Sequence, residues 1–317
     1  MPKFRWNLRR RFCTKFFKVC LIFIVFTVIG NYLFLQSIRN NKEKQKALKY
    51  TFPQRNLQVS TLITSYKNNP TTSLPCKAKD IRLSDHALPV TGLISFPGSG
   101  NTWLRHLLQQ LTGIGTSSVY CDRSLATTGF PFECEKRWNR TLAVKSHLFN
   151  VSDIHSFDRN ILLIRTPADA FLSYFTYAAG SSSHTKVPSR QEIARLGNIL
   201  ISPSASWLVY NINITLTQSR GRVHVVQYEN LRTDLRKELK DLSEFLQMGI
   251  TEQDIDCAVQ LQEGSNHRQT NASYHRELLQ YVFDGRKQEL LKTVTYHAEK
   301  LLQTYLNKHI DLSDVFR

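Results

Sequence analysis

The chain has 317 residues and a formal charge of +17, from 42 Lys and Arg against 25 Asp and Glu. The placement of that charge argues against a nucleic-acid partner: residues 1–50 hold 12 Lys/Arg and one acid, Glu43, and the rest hold 30 against 24. A body so mildly basic suits a site for an anionic small ligand instead.

In chain order, residues 1–15 form a basic tail. Residues 16–35 (FFKVCLIFIVFTVIGNYLFL) are predominantly apolar over about the length that spans a bilayer, with Lys18 able to snorkel to the head groups. No small-x-small cleavage site follows, so the stretch reads as a signal anchor rather than a removed leader. The lysines and arginines ahead of it place the tail in the cytoplasm and the bulk of the chain in the lumen, although the trailing side is basic too. Sequons at Asn139, Asn150, Asn213 and Asn271 agree with a lumenal body. So does the even set Cys76, Cys121, Cys134 and Cys257, which allows three pairings; Cys121 with Cys134 closes a short interval and is the favoured one. Cys13 and Cys20 lie at or in the membrane segment.

Residues 36–88 are polar, lack sustained periodicity and contain Pro53, Pro70 and Pro75, which describes a stem. Residues 89–317 form the lumenal domain. In it short apolar runs at 90–96, 142–145, 160–165 and 222–228 alternate with helical patterns at 102–112, 168–178, 204–218 and 231–247. That alternation is the mark of an α/β fold with a parallel sheet, and a long amphipathic helix at 286–306 closes it.

The stretch VTGLISFPGSGNTWLRHLLQQLT, residues 90–112, reads as strand, glycine-bearing turn and helix, with a stop at Gly113. Such a corner is an anion cradle, because unpaired N–H groups and the helix dipole face outward there. Gly98 and Gly100 admit a phosphate-sized group close to the backbone, and Ser99 and Thr102 offer hydroxyls. The nucleoside-triphosphate loop G-x-x-x-x-G-K-[ST] is absent, since no lysine precedes Thr102. Arg165 follows a buried run, where ligands of parallel sheets collect, and Ser173 stands eight residues on. Lys145 and His147 close another run, Leu142 to His147.

These motifs resemble those of sulfotransferases over roughly residues 88–275. The loop Pro97–Leu104 resembles P-K-S-G-T-T-W-L, with Gly98 in place of the lysine. Arg165 to Ser173 resembles R-[ND]-P-x-[DE]-x-x-x-S with Thr166 the departure, and Lys145-Ser146-His147 resembles K-T-H. The run V-V-Q-Y-E-N-L at 225–231 is similar to a late Y-E-x-L strand ending, read as packing. E-G-S-N-H-R at 263–268 is similar to the C-terminal basic segment. F-P-G-S-G-N-T-W-L-R-H-L-L with V-Y-C-D and E-G-S is most similar to the Golgi family whose vertebrate members carry WSC domains and are linked to sulfation of sialic acid; no cysteine-rich WSC module stands in the stem.

The resemblance implies a P-loop-like sulfotransferase fold, a central parallel sheet flanked by helices, and 3′-phosphoadenosine 5′-phosphosulfate as donor. It implies in-line transfer to a glycan hydroxyl in the Golgi, with no metal. The N–H groups of Ser99, Gly100, Asn101 and Thr102 would hold the 5′ end beside Gly98, and Trp103 would pack on adenine. Arg165, Ser173 and Arg268 would take the 3′-phosphate. His147 would be the base, and Lys145 would supply part of the charge that Gly98 lacks. Two other classes stay open: a P-loop kinase, disfavoured by its missing lysine, and a non-catalytic membrane glycoprotein, which gains weight from Gly98.

Overall fold

Five short strands line up as one parallel sheet in the computed structural model, which describes residues 76–148, 151–180, 188–264, 272–307 and 309–312. They are β1 (Thr91–Ser95), β2 (Ser117–Ser118), β3 (Val144–Ser146), β4 (Arg159–Ile164) and β5 (Val223–Gln227), in the order β2-β3-β1-β4-β5. The four expected runs each overlap one strand, with β3 reaching Ser146 and β4 starting at Arg159. β2 is two residues long, too short for any periodic signal.

The helices are α1 (Asn101–Thr112), α2 (Arg123–Thr127), α3 (Val151–Ile154), α4 (Pro167–Ala179) and α5 (Arg190–Gln218), then α6 (Tyr228–Thr233), α7 (Leu235–Leu246), α8 (Glu252–Gln260), α9 (Ala272–Val282) and α10 (Arg286–Leu306). Successive strand side chains alternate between two cores, as a sheet covered on both faces requires. Ile94, Leu162 and Ile164 pack with α4, α5, α9 and α10; Leu93, Ile161 and Leu163 pack with α1, α7 and α8. Leu104, Leu107, Leu108 and Leu111 of α1 are wholly buried, each stabilising by about 1.5–3 kcal/mol.

Two helices differ from the expected pattern. The helix expected at 204–218 starts earlier, as α5 runs through Pro203 from a capping box at Ser189 and Glu192. Burial of Ile193, Ile201, Ala205 and Leu208 outweighs the one lost backbone bond. The single helix expected at 231–247 is two, because Asp234 turns the chain and accepts from Lys237 N–H as the cap of α7.

The folded unit takes in residues expected in the stem. Cys76 pairs with Cys257, Lys79 bonds Leu111 O and Asp254, and Arg82 pairs with Ile114. The tail, the apolar segment 16–35, the stem up to residue 75, Asn150, Asn271 and Arg268 lie outside the described residues. No helix among the described residues is long and apolar enough to cross a membrane.

The chain leaves β1 for β2 and β3 on one side, then crosses to β4 and β5 on the other. The carboxyl end of β1 is therefore the switch point of the sheet, where a crevice opens. The loop that follows β1 lies there.

Candidate functional site: an anion loop beside a histidine

Gly98 and Gly100 both hold left-handed backbone, with φ of 84° and 98°. A Cβ at residue 98 would lie 2.3 Å from Ala170 O of α4, and one at residue 100 would lie 2.5 Å from the Tyr228 ring. The loop is pressed between that helix and that ring, and only bare backbone fits. The first helical bond of α1 runs from Leu104 N–H to Gly100 O (3.0 Å), so the N–H groups of Asn101, Thr102 and Trp103 precede the ladder. No acid stands in the first turn to neutralise the dipole. These features fit the terminal oxyanion of a nucleotide.

They also explain the missing lysine. Gly98→Lys is expected to weaken the fold by roughly 1–3 kcal/mol, from left-handed strain and the clash with Ala170 O, and to bring no gain in donor affinity. Thermal melting together with nucleotide titration measures both.

Arg165 leaves β4 and reaches the same loop. Its Nη1 donates to Gly98 O (3.0 Å), its guanidinium lies 4.2 Å from the centre of the Tyr228 ring, and its Nε is buried with no partner among the described residues. Ser173 stands beside it, its Cβ 3.1 Å from the Cβ position of residue 98. The loop, Arg165 and Ser173, separated in sequence, thus meet at one point. Thr166, the departure from the motif, donates N–H (3.0 Å) and Oγ–H (2.6 Å) to Glu229 Oε1. Asp169 on α4 pairs with His275 on α9 at 2.7 Å. Tyr228 and Glu229, expected only to pack, are walls of this site.

Three loop residues are placed otherwise than expected. Ser99 is buried and donates its N–H to Phe96 O (3.2 Å). Asn101 turns its side chain inward, away from the cradle. Trp103 donates its indole N–H to Gln262 O (2.9 Å) and meets Tyr228 edge-on. Thr102 stays half-buried in the first turn.

His147 follows β3 next to the end of β1, as the pairing of Ile94 with Ser146 requires. Its Nδ1 lies 2.8 Å from Ser95 O. A carbonyl only accepts, so Nδ1 carries the proton and Nε2 keeps a lone pair. Tyr120 stacks on the imidazole (5.5 Å between centroids) and accepts from His147 N–H through its hydroxyl (2.8 Å). Trp207 packs edge-on against the ring and donates to His147 O (2.9 Å). Burial first, and then the charge of Lys145, push the His147 pKa down to about 3. Lys145 is on the same side of the strand, two residues earlier. Burial, then the Arg105 charge, bring its pKa down to about 8.

Behind Lys145 lies a buried ion pair, Arg105 Nη2 with Glu133 Oε2 at 2.6 Å, both side chains fully enclosed. Arg105 Nε also donates to Thr116 Oγ1 (2.9 Å), and its guanidinium lies 4.4 Å from the centre of the Phe130 ring. The Cys121–Cys134 disulfide, the favoured pairing, joins the two ends of the loop that carries Glu133, and Tyr120 precedes its first cysteine. The nearby carboxylates Asp122 and Glu133 are both engaged: Asp122 caps α2 through Ser124 N–H, and Glu133 holds Arg105. Among the described residues no three of His, Cys, Asp and Glu are grouped to hold a metal ion.

The sulfotransferase domain family matches residues 90–293. WSCD family member CG9164 of Drosophila melanogaster is 35% identical over 209 residues, covering 64% of each chain. WSCD family member GA21586 of Drosophila pseudoobscura pseudoobscura is 36% identical over 191 residues, 58% of this chain and 59% of that one. The chain thus spans less than two thirds of the length of these curated relatives. Among solved structures, mouse sulfotransferase SULT7A1 complexed with PAP aligns with a TM-score of 0.47 at 16% identity, over 71% of this chain and 90% of that one. With the family matched across most of the folded unit, this chain belongs to the sulfotransferase domain family.

Proposed function

We propose that the protein transfers a sulfuryl group from 3′-phosphoadenosine 5′-phosphosulfate to a glycan hydroxyl, in the lumen of the Golgi. The observation that carries this reading is the His147 imidazole, with its Nδ1–H on Ser95 O at the end of the strand that leads into the anion loop and its Nε2 lone pair unclaimed by that bond. The donor, when bound, supplies an activated sulfuryl group on a nucleotide 5′-phosphate. His147 Nε2 accepts the acceptor's hydroxyl proton as the oxygen attacks sulfur. The Asn101, Thr102 and Trp103 N–H groups face the charge that grows on the leaving phosphate, and Lys145 adds a cation beside them. Arg165 and Ser173 hold the nucleotide's other phosphate.

The surroundings of His147 support a glycan as the acceptor class. Tyr120, 41% exposed, and Trp207 offer aromatic surfaces beside the base, and such rings pair an apolar face with a polar tip, as a pyranose ring requires. Sialic acid is the specific sugar proposed. The test is transfer of radiolabelled sulfate by the full chain across sialylated and desialylated glycans. Loss of transfer on removing sialic acid supports the sugar, and transfer to neither set overturns the activity. Nucleotide binding without transfer to any acceptor would favour the non-catalytic reading that Gly98 raises.

Donor binding has its own check. Arg165→Ala is expected to weaken calorimetric binding of 3′-phosphoadenosine 5′-phosphate by about 1.5–3 kcal/mol, the usual range for a charge-assisted bond. Unchanged affinity in a folded variant removes Arg165 from the site.

The proposed topology is single-pass type II, with N-glycans on the lumenal side. Of the sequons described, Asn139 is exposed while Asn213 is half-buried within α5. Glycosidase is expected to increase gel mobility, and Asn139→Gln to remove part of that shift. A cellular product that glycosidase does not shift contradicts the lumenal placement.

A further inference from the structure

The corner that holds Arg165 and Ser173 also holds an acid. Asp169 stands in the first turn of α4, four residues before Ser173 and so on the same face of the helix. Burial alone would raise its pKa, but the His275 bond and then the charges of Arg165, His275 and Arg232 hold it below the usual carboxylate value. It is therefore ionised and feels the same guanidinium that a phosphate would use. Once a phosphate binds, two anions share Arg165, and each disfavours the other.

One group beside Asp169 can answer that repulsion. His275 of α9 places Nε2 2.7 Å from Asp169 Oδ1, and the two side chains are 32% and 20% exposed. A carboxylate only accepts, so Nε2 carries a proton whether the ring is neutral or charged. A second proton, on Nδ1, decides whether the pair is neutral or bears a net negative charge. Imidazole is the side chain that changes charge between about pH 5 and 8.

The other charged and titratable groups around His275 are of kinds that ordinarily titrate outside that range. α9 packs on α4 and α5. α4 brings Asp169 with Tyr174 and Tyr177, and α5 brings Arg190, Glu192 and Arg195. Of these, Arg190 lies 5.1 Å from the centre of the Tyr281 ring and Glu192 bonds the cap residue Ser189. Arg276 and Glu277 flank His275 on α9 itself, and the exposed Arg232 acts on Asp169 from α6.

We propose that Asp169 and His275 complete a proton-coupled phosphate subsite: a phosphate bound at Arg165 and Ser173 draws a second proton from solvent onto His275, which cancels the Asp169 charge beside it. The ligand class is a nucleotide with a further phosphate on its ribose, and by linkage it binds more tightly at mildly acidic pH. The proposal rests on the reading of Arg165 and Ser173 as phosphate contacts, and its test needs no turnover.

The experiment is calorimetric titration of the full chain with 3′-phosphoadenosine 5′-phosphate from about pH 5.5 to 8.5. Buffers of different ionisation enthalpy count the protons taken up, and adenosine 5′-phosphate serves as the ligand without the 3′-phosphate. In the parent, affinity rises by roughly tenfold from about pH 8 to about pH 6, the scale on which one nearby charge acts. His275→Gln, whose amide can still donate to Asp169, binds throughout as the parent does at the alkaline end and takes up fewer protons. His275→Lys, charged throughout, binds at the alkaline end as the parent does at the acidic end. Asp169→Asn binds at the alkaline end at least as tightly as the parent, whereas a pair that merely staples α9 to α4 would leave it weaker. Protons taken up by Lys145 or by the ligand's own phosphates are common to the parent and His275→Gln and cancel in the comparison. Equal uptake in those two proteins, a difference that persists with adenosine 5′-phosphate, or an Asp169→Asn variant weaker than the parent at the alkaline end overturns the proposal and leaves the phosphate reading standing. Unchanged affinity in Arg165→Ala removes the phosphate from this corner, and the proposal falls with it.

Discussion

His147→Ala is expected to lower turnover by about 10²–10⁴, the usual contribution of a general base, while leaving nucleotide binding near that of the parent. The contacts behind this are few and specific: Ser95 O fixes the tautomer, and Tyr120 and Trp207 fix the plane of the ring. The pH profile adds a second expectation. With its pKa near 3, His147 is unprotonated across the working range and imposes no acid limb on kcat/KM above about pH 4. Lys145, with a pKa near 8, is charged below that value and neutral above it. A role in stabilising the leaving phosphate therefore makes kcat/KM fall as pH rises through about 8, and Lys145→Ala removes that limb. In kcat the limb moves to higher pH, because a bound anion favours the charged lysine. Stopped assays across pH 4–10 on the parent and both variants decide; near-parental turnover in His147→Ala sends the base role elsewhere.

Glu133→Ala is the substitution expected to cost most in stability. It leaves the Arg105 guanidinium fully enclosed and without its carboxylate, a change that destabilises by about 3–5 kcal/mol. For a folded unit of this size that lowers the melting temperature by roughly 10 °C or more. The double replacement Arg105→Met/Glu133→Leu, which removes both charges together, is expected to recover much of the loss. There is a functional trace as well. Glu133 opposes the effect of Arg105 on Lys145, so its removal pushes the Lys145 pKa further down and brings the alkaline limb below pH 8. Calorimetric melts with the same pH profiles separate the two effects. A Glu133→Ala melt equal to the parent's would mean that the pair is not buried as described.

The sequence by itself determined the strand, turn and helix of residues 90–112, because its alternation of short apolar runs, glycines and leucines at helical spacing is a local property. The other three strands with a periodic signal and the closing helix Arg286–Leu306 were legible for the same reason. Arg165, Ser173 and His147 stood out as residue types at motif spacings, although their separation in sequence from the loop at 97–104 says nothing about distance. Asp234 as a break and Pro203 as no break were decided by the tertiary structure, the first by a cap bond and the second by burial on both sides.

The same holds for the site. That Gly98 must be glycine depends on Ala170 O, carried by a helix about seventy residues away, and that Gly100 must be glycine depends on Tyr228. The orientation of His147 by a backbone carbonyl and the pairing of Arg105 with Glu133 rest on contacts between segments that only the tertiary structure brings together, whereas the inward turn of Asn101 is made within the β1–α1 corner itself. Composition and spacing record which groups a chain carries. Which of them face a ligand, and which face one another, is set by packing, because burial forces each polar group to find the partner the fold places beside it.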